Sequence, residues 1–337
     1  MAGRRTLESV ARNAGDRSVR WQLKARVQNA VAALPFASNA VYYAIQRSVG
    51  GLRPGLNQPV DRFRAALRTV DWIESAGLDI TGRTFVEVGT GHMVNMPTAL
   101  WLLGAGEILT VDLNRYLSDT LVTESNEYIR RNEAQVLALF GQRAATGEFK
   151  KRFGQLTSFH GTLAELLEMM NVRYLAECDA AALQVEDDSF DFHISNTVLE
   201  HIPEDVLGGI LAEAKRALKP GGLLVHHIDP SDHFSHNDNS IAAVNFLRFD
   251  DDEWRRWAGN RFMYHNRLRA RDFVALFERA GAHILRSERL IDERSLRELE
   301  EGLKLADKFA GFEPDELAAT QISIMARFDS TDWQFAG

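Results

Sequence analysis

The chain has 337 residues, 45% hydrophobic and 26% charged, with 24 glycines and 8 prolines. That balance excludes collagen-like, low-complexity and wholly disordered classes, and the length allows a large core. A single cysteine, Cys178, excludes a disulfide framework and a cysteine-based zinc site. The net charge of −8 hides a division: residues 1–70 sum to +9, with 12 Lys/Arg against Glu8, Asp16 and Asp61, and the remainder sums to −17.

The N-terminal arginines are followed by no apolar run, so no secretory signal is expected, and no stretch is long and apolar enough to span a bilayer. The expected location is the cytoplasm. Residues 1–77 read as a basic helical extension. In it Trp21, Leu23, Val27, Val31 and Leu34 recur at near-helical spacing, and Phe63, Leu67, Val70 and Ile73 mark a helix from about 60 to 76. From Arg83 the pattern turns to short β-prone runs at 83–88, 107–112, 172–176, 190–195, 223–229, 282–290 and 321–328. Helices are expected between them, at about 97–103, 204–218 and 270–280. The alternation predicts a doubly wound α/β domain over 78–337. Two long interruptions divide it: a helical insertion at about 119–170, expected as a cap or lid, and a second at about 230–269 on the substrate side.

In such a sheet, ligands bind at the carboxyl ends of the strands. The first strand ends in Glu87-Val88-Gly89-Thr90-Gly91, whose small residues let a ligand approach the backbone. The second ends in Asp112, 21 residues beyond Gly91, an acid able to accept both hydroxyls of a ribose. The third ends near Asp179-Ala180 and the fourth at Ser195-Asn196. Val94 stands where the dinucleotide fingerprint has its third glycine, which speaks against a nicotinamide cofactor.

This set, with Leu199-Glu200-His201-Ile202 and Leu218-Lys219-Pro220-Gly221-Gly222, resembles the class I S-adenosylmethionine-dependent methyltransferases over about residues 83–290. The resemblance implies a seven-stranded Rossmann-like sheet in order 3-2-1-4-5-7-6, with Gln321–Phe328 as the antiparallel strand 7. It also implies S-adenosylmethionine as cofactor. The loop Gly89-Thr90-Gly91 would pass beneath its methionine part, with Glu87 at the amino end. Asp112 would hold the ribose, with Leu113 beside the adenine. Asp179 and Ala180 would face the adenine edge, and Ser195 and Asn196 would lie under the methionine moiety. His92 departs from the family, which often has a third small residue there.

A base is needed only where the acceptor loses a proton, as a hydroxyl does. The run from His226 to His236 holds four of the ten histidines. It could contain a general base, with His227 or His233 oriented by Asp229 or Asp232; it could bind a divalent metal; or it could be a polar loop of hydrogen-bonded histidines. Strand alternation puts His227 and Asp229 on one face, which makes them the preferred pair. His201 is a further catalytic candidate, and no metal ligand is assigned. Arg248, Arg261 and Arg267 could pair with an anionic group on the acceptor.

The expected activity is methyl transfer to a small-molecule acceptor, with oxygen slightly ahead of nitrogen, in bacterial specialised-metabolite or surface-glycan metabolism. Two alternatives stay open: an enzyme that cleaves or cyclises S-adenosylmethionine itself, and a non-catalytic module that only binds it. The basic head could be a lid, a homodimer contact, or a contact with a membrane surface or a lipid- or glycan-linked acceptor. Nucleic acid is not expected.

Overall fold

The computed structural model describes residues 21–34, 38–48, 50–55, 58–260 and 262–328. Arg4, Arg5, Arg12, Arg17 and Arg20 of the basic head, and Arg261, lie outside them. The N-terminal helices are α1 (Trp21–Ala32), α2 (Ser38–Ser48) and α3 (Val60–Ser75). Then come β1 (Thr84–Val88), α4 (Asn95–Leu102) and β2 (Glu107–Asp112). The first insertion follows, as α5 (Asp119–Arg131), α6 (Glu133–Phe140), α7 (Gly147–Ser158) and α8 (Leu163–Met169). The chain continues through β3 (Val172–Ala176), β4 (Phe190–Asn196), α9 (Glu204–Ala217), β5 (Leu218–Ile228) and α10 (Asp251–Ala258). It closes with α11 (Ala270–Arg279), β6 (Ala282–Ile291), α12 (Glu293–Glu300), α13 (Pro314–Leu317) and β7 (Ala319–Phe328).

The strands form one sheet in the order β3-β2-β1-β4-β5-β7-β6. Pairings are parallel up to β5, and β7 runs antiparallel to both β5 and β6. Strand order reverses between β1 and β4, so a crevice opens beyond their carboxyl ends. At the opposite ends a buried carboxylate bolts the central pair together. Asp191 of β4 accepts from the Thr84 amide (2.9 Å), the Thr84 hydroxyl (2.8 Å), Arg83 (2.9 Å) and Lys219 (2.8 Å). Burial alone would raise its pKa; the donors, Lys219 foremost, outweigh that and lower it to about 2.

Both faces of the sheet are covered. On one, Phe85, Phe192 and Val225 pack against α3, α4 and the insertion through Phe63, Leu100, Val122, Phe140 and Phe149. The insertion is therefore part of a helical layer, not the cap expected from its length: its apolar side chains meet the same core as α3 and α4. On the other face, Val86, Leu109 and Leu224 meet α9 and α11. A third core joins α1 to the second insertion, with Trp21 against Phe234, Phe249 and Trp257 at ring-centroid distances of 5.0–5.8 Å. In α1 the buried set is Trp21, Ala25, Gln28 and Val31, while Leu23 and Val27 face outward. Of the expected stripe only Trp21 and Val31 are buried, and Leu34 faces outward too, because the true helical period runs through the small and polar Ala25 and Gln28.

The basic head is tied to the acidic body. Arg47 of α2 makes a bidentate pair with Glu124 of α5 (2.9 and 2.5 Å), and Lys24 of α1 donates to Asn237 (2.6 Å). Tyr42 stacks on Phe262 at 4.0 Å. Among the described residues, no helix is long and apolar enough to cross a membrane.

Candidate active site

The glycine loop after β1 has the conformation that its residues predict. Gly89 and Gly91 have φ of +89° and +67°, in the left-handed region that favours glycine. A Cβ on Gly89 would lie 2.3 Å from Val198, whereas one on Gly91 would meet nothing within 4 Å. The first glycine is thus required by packing, and the second borders open space. The Gly91 amide donates to Asp112 Oδ2 (2.9 Å) and the Asn114 amide to its Oδ1 (3.0 Å), which fixes the carboxylate at the β2 end. Leu113 beside it is 68% exposed, an apolar side chain open to a flat partner.

Glu87 is buried, accepts from the Thr110 hydroxyl (2.6 Å), and is pushed up to about 7 by burial, against the Thr110 bond and the nearby Arg62 charge. Thr90 is buried with its hydroxyl 2.6 Å from that of Thr110, so its side chain braces the loop from within. Asp179 is exposed and accepts from the Ala181 amide (2.9 Å), with Ala180 buried beside it. Ser195 is fully buried and bonded to His226 Nδ1 (2.8 Å), while Asn196 is half-buried at the strand end. One residue absent from the expected set reaches this crevice. Arg62 of α3 donates to the Asn196 carbonyl (3.2 Å) and the Thr197 hydroxyl (3.0 Å). Its only trace in the sequence is one more charge in the basic head.

The residues present fit S-adenosylmethionine: the open space over Gly91, the fixed Asp112 carboxylate and the exposed Leu113 follow one another around the β1 and β2 ends. Arg62 adds a cation where a carboxylate could lie.

Seven of the ten histidines fall into two groups. His193, His226 and His227 lie in the sheet. His226 sits between Ser195 and His193, and His227 Nδ1 bonds Ser323 (2.8 Å) with its ring edge-on to Trp72 at 5.8 Å. Burial holds His193 at about 4, His227 at about 3, and His226 well below its usual value. The preferred pair His227–Asp229 is therefore not formed. Strand alternation stops at Ile228, and Asp229 turns away to accept from the Ser231 amide (3.0 Å) and hydroxyl (2.5 Å).

Asp229 instead meets the second group. His233 Nε2 and His236 Nε2 each lie 3.5 Å from its Oδ2. His201 packs on His233 with ring centroids 4.9 Å apart and bonds the Tyr264 carbonyl through Nδ1 (2.9 Å). His265 is fixed between the Asp229 carbonyl (3.2 Å) and the Arg267 amide (2.9 Å). Burial opposes a charge on His233, yet the Asp229 carboxylate outweighs it and raises the pKa; Asp229 itself is held below the usual carboxylate range. Glu200, which the sequence does not mark as a site residue, is fully buried in this cluster and pushed up to about 8 by burial. Asp232 is buried in a separate bond to Asn245 (3.1 Å).

The arginines expected to meet an anion do not act together. Arg267 is 2% exposed and donates to the carbonyls of Phe246 (2.9 Å) and Phe249 (2.7 Å) and to Asp251. Arg248 is exposed at the surface.

Residues 141–226 match the family model described as a methyltransferase domain, a stretch that holds β3, β4 and β5 as far as His226 but not the glycine loop. No curated protein matches the sequence. Solved structures with a similar arrangement include three S-adenosylmethionine-dependent methyltransferases. That of Mesorhizobium loti is 15% identical, over 76% of this chain and 96% of that one, with a TM-score of 0.40. That of Clostridium acetobutylicum is 12% identical, over 87% and 99%, at 0.43. That of Methanosarcina mazei is 16% identical, over 76% and 97%, at 0.38. Residues 141–226 are thus similar to a methyltransferase domain, and the sheet has the strand order that the resemblance implies, with S-adenosylmethionine as the cofactor that goes with it.

Proposed function

We propose that the protein methylates a hydroxyl of a small-molecule acceptor, and that the acceptor is engaged by the cluster of Glu200, His201, Asp229 and His233. The observation that carries this reading is the Asp229–His233 contact at 3.5 Å, just beyond the β4 and β5 ends. When bound, S-adenosylmethionine supplies a methyl group on a positively charged sulfur, open to in-line displacement. An amine needs only alignment for that reaction, whereas a hydroxyl must also lose its proton. The cluster offers titratable groups for that proton at the substrate end of the sheet. The second insertion (230–269), held down by α1, would wall the acceptor pocket, and α2 with α3 would form a lid over the cofactor. Arg62 on α3 would then take the cofactor carboxylate.

The reading places the enzyme in specialised-metabolite or surface-glycan metabolism, where small hydroxylated acceptors abound. Incubation with a panel of phenols, sugars and amines, followed by mass spectrometry, tests it. A gain of one methyl on a hydroxyl acceptor is expected. Release of methylthioadenosine without any acceptor would instead favour cleavage of the cofactor. Absence of calorimetric binding of S-adenosylhomocysteine would defeat every reading that uses this cofactor.

A further inference from the structure

Glu200 follows β4 on a tight turn and is fully buried, and neither of its carboxylate oxygens meets a donor in hydrogen-bonding geometry. A buried carboxyl without partners is costly, because it forfeits water and gains nothing in return. Native structures keep such groups only where something else satisfies them. Around Glu200 stand two imidazoles, together with the carboxylate and backbone amide of Asp229. His201 Nε2 lies 3.9 Å from Glu200 Oε1, and one donor atom each from Glu200, His201 and His233 lie within 4.8 Å of one another. His233 Nε2 is likewise buried and makes no hydrogen bond of good geometry, although Asp229 Oδ2 stands 3.5 Å away.

The tautomer of His201 follows from its surroundings. Its Nδ1 faces the Tyr264 carbonyl at 2.9 Å, and a carbonyl can only accept. The proton therefore sits on Nδ1, and Nε2 presents a lone pair toward Glu200. A ring nitrogen anchored on a backbone carbonyl, with the other left bare, is the usual support of a metal-bound histidine. Asp229 beside His233 adds a second carboxylate.

We propose that Glu200, His201 and His233 form a binding site for a first-row divalent transition-metal cation. Two imidazoles and a carboxylate suit manganese, iron, cobalt, nickel or zinc better than calcium or magnesium, which favour oxygen alone. Donors of one ion at metal–ligand distances near 2.1 Å stand about 3 to 3.5 Å apart, so the three side chains close by about 1 Å each. Three protein ligands leave positions open for an acceptor oxygen. A ligating imidazole cannot also take up a proton. A bound cation would therefore ionise the acceptor hydroxyl by lowering its pKa, in place of the histidine. That last role rests on the methyl-transfer reading; the cation site does not.

The test uses the untagged full chain, freed of metal by a chelating resin and titrated with Co²⁺ by calorimetry and visible absorption. One equivalent bound, with ligand-field bands of an imidazole–carboxylate site, is expected. Glu200→Gln and, as the milder change at a partly exposed residue, His201→Asn should each weaken binding at least about tenfold and bleach the bands. His236→Ala, outside the triad, should leave them in place. Uptake below about 0.1 equivalent at 100 μM Co²⁺, or uptake unchanged in both variants, would overturn the site. Calorimetry with S-adenosylhomocysteine on the same sample separates the two ideas. Binding of that ligand without cobalt sinks only the cation site, and cobalt without that ligand sinks only methyl transfer.

Discussion

The two histidine groups of this protein lie a few residues apart in the sequence and do opposite things. His226 and His227 are strand residues whose rings serve the two faces of the sheet, one toward Phe277 and the other toward Trp72. Burial keeps them neutral, and each bonds a serine hydroxyl. His233 lies past the strand end, where a carboxylate outweighs burial and favours its charged form. Histidine content therefore says little about chemistry; the neighbouring charge decides. The same run of sequence supplies a neutral core and a polar site because the strand stops between them.

The largest effect that would break this contrast is on turnover. His233→Ala is expected to lower kcat by about 10²- to 10⁴-fold, the range for losing a proton-transfer group. Its affinity for S-adenosylhomocysteine should stay within about twofold, because the cofactor end is built from other strands. His227→Ala should keep kcat within about threefold in the folded fraction while lowering the melting temperature. If the two variants exchanged these behaviours, the separation would be wrong.

Next in size is the cofactor end. Asp112→Ala removes an acceptor able to make charge-assisted bonds worth about 1.5–3 kcal/mol, so calorimetry should show S-adenosylhomocysteine binding weakened roughly 10- to 150-fold. Arg62→Ala should weaken it by less, about three- to tenfold, if the guanidinium meets the ligand carboxylate.

Acid stability sharpens the comparison from the core side. His193 and His227 have folded values of about 4 and 3, below the ordinary 6.5. The unfolded chain takes up their protons first, so their contribution is complete above pH 6.5 and declines as pH falls toward the folded values. Each such group can cost up to about 1.4 kcal/mol per pH unit in that window. Asp191 acts lower, its stabilisation being lost between about pH 4 and its folded value near 2. Denaturant melts at pH 7, 6 and 5 should show the decline; a flat profile would mean that the sheet histidines are not held neutral.

The smallest effect concerns the pH profile. Whether His233 takes a proton or holds a cation, it must be unprotonated to act. Its raised pKa places the ascending limb of kcat/KM above pH 6.5, and Asp229→Asn should move that limb to lower pH. A limb unmoved by the substitution would disconnect Asp229 from the reaction.

The β-prone runs are local patterns, and β2 and β3 begin and end where the sequence predicts. The glycine loop was legible because φ of +89° and +67° favours glycine, and Asp112 because it closes a strand at a readable spacing. The preferred pair His227–Asp229 was misread because alternation was carried one residue past Ile228, into a turn that Ser231 organises. Arg267 was misread as a free charge because nothing near it in sequence reveals the carbonyls of Phe246 and Phe249 that fill its fork.

By itself, then, the sequence determined the strands as local runs, the two glycines of the loop and the acid that ends β2, since these depend on residues that are neighbours or one βαβ step apart. Tertiary structure alone decided which histidines meet, where Glu200 is buried, and that Arg62 crosses from the basic head to the end of β4. Those contacts join residues 33, 64 and 134 or more positions apart, as in Glu200 with His233, His201 with His265, and Arg62 with Asn196. No local periodicity records such distances; they are set by how helices and insertions close over the sheet.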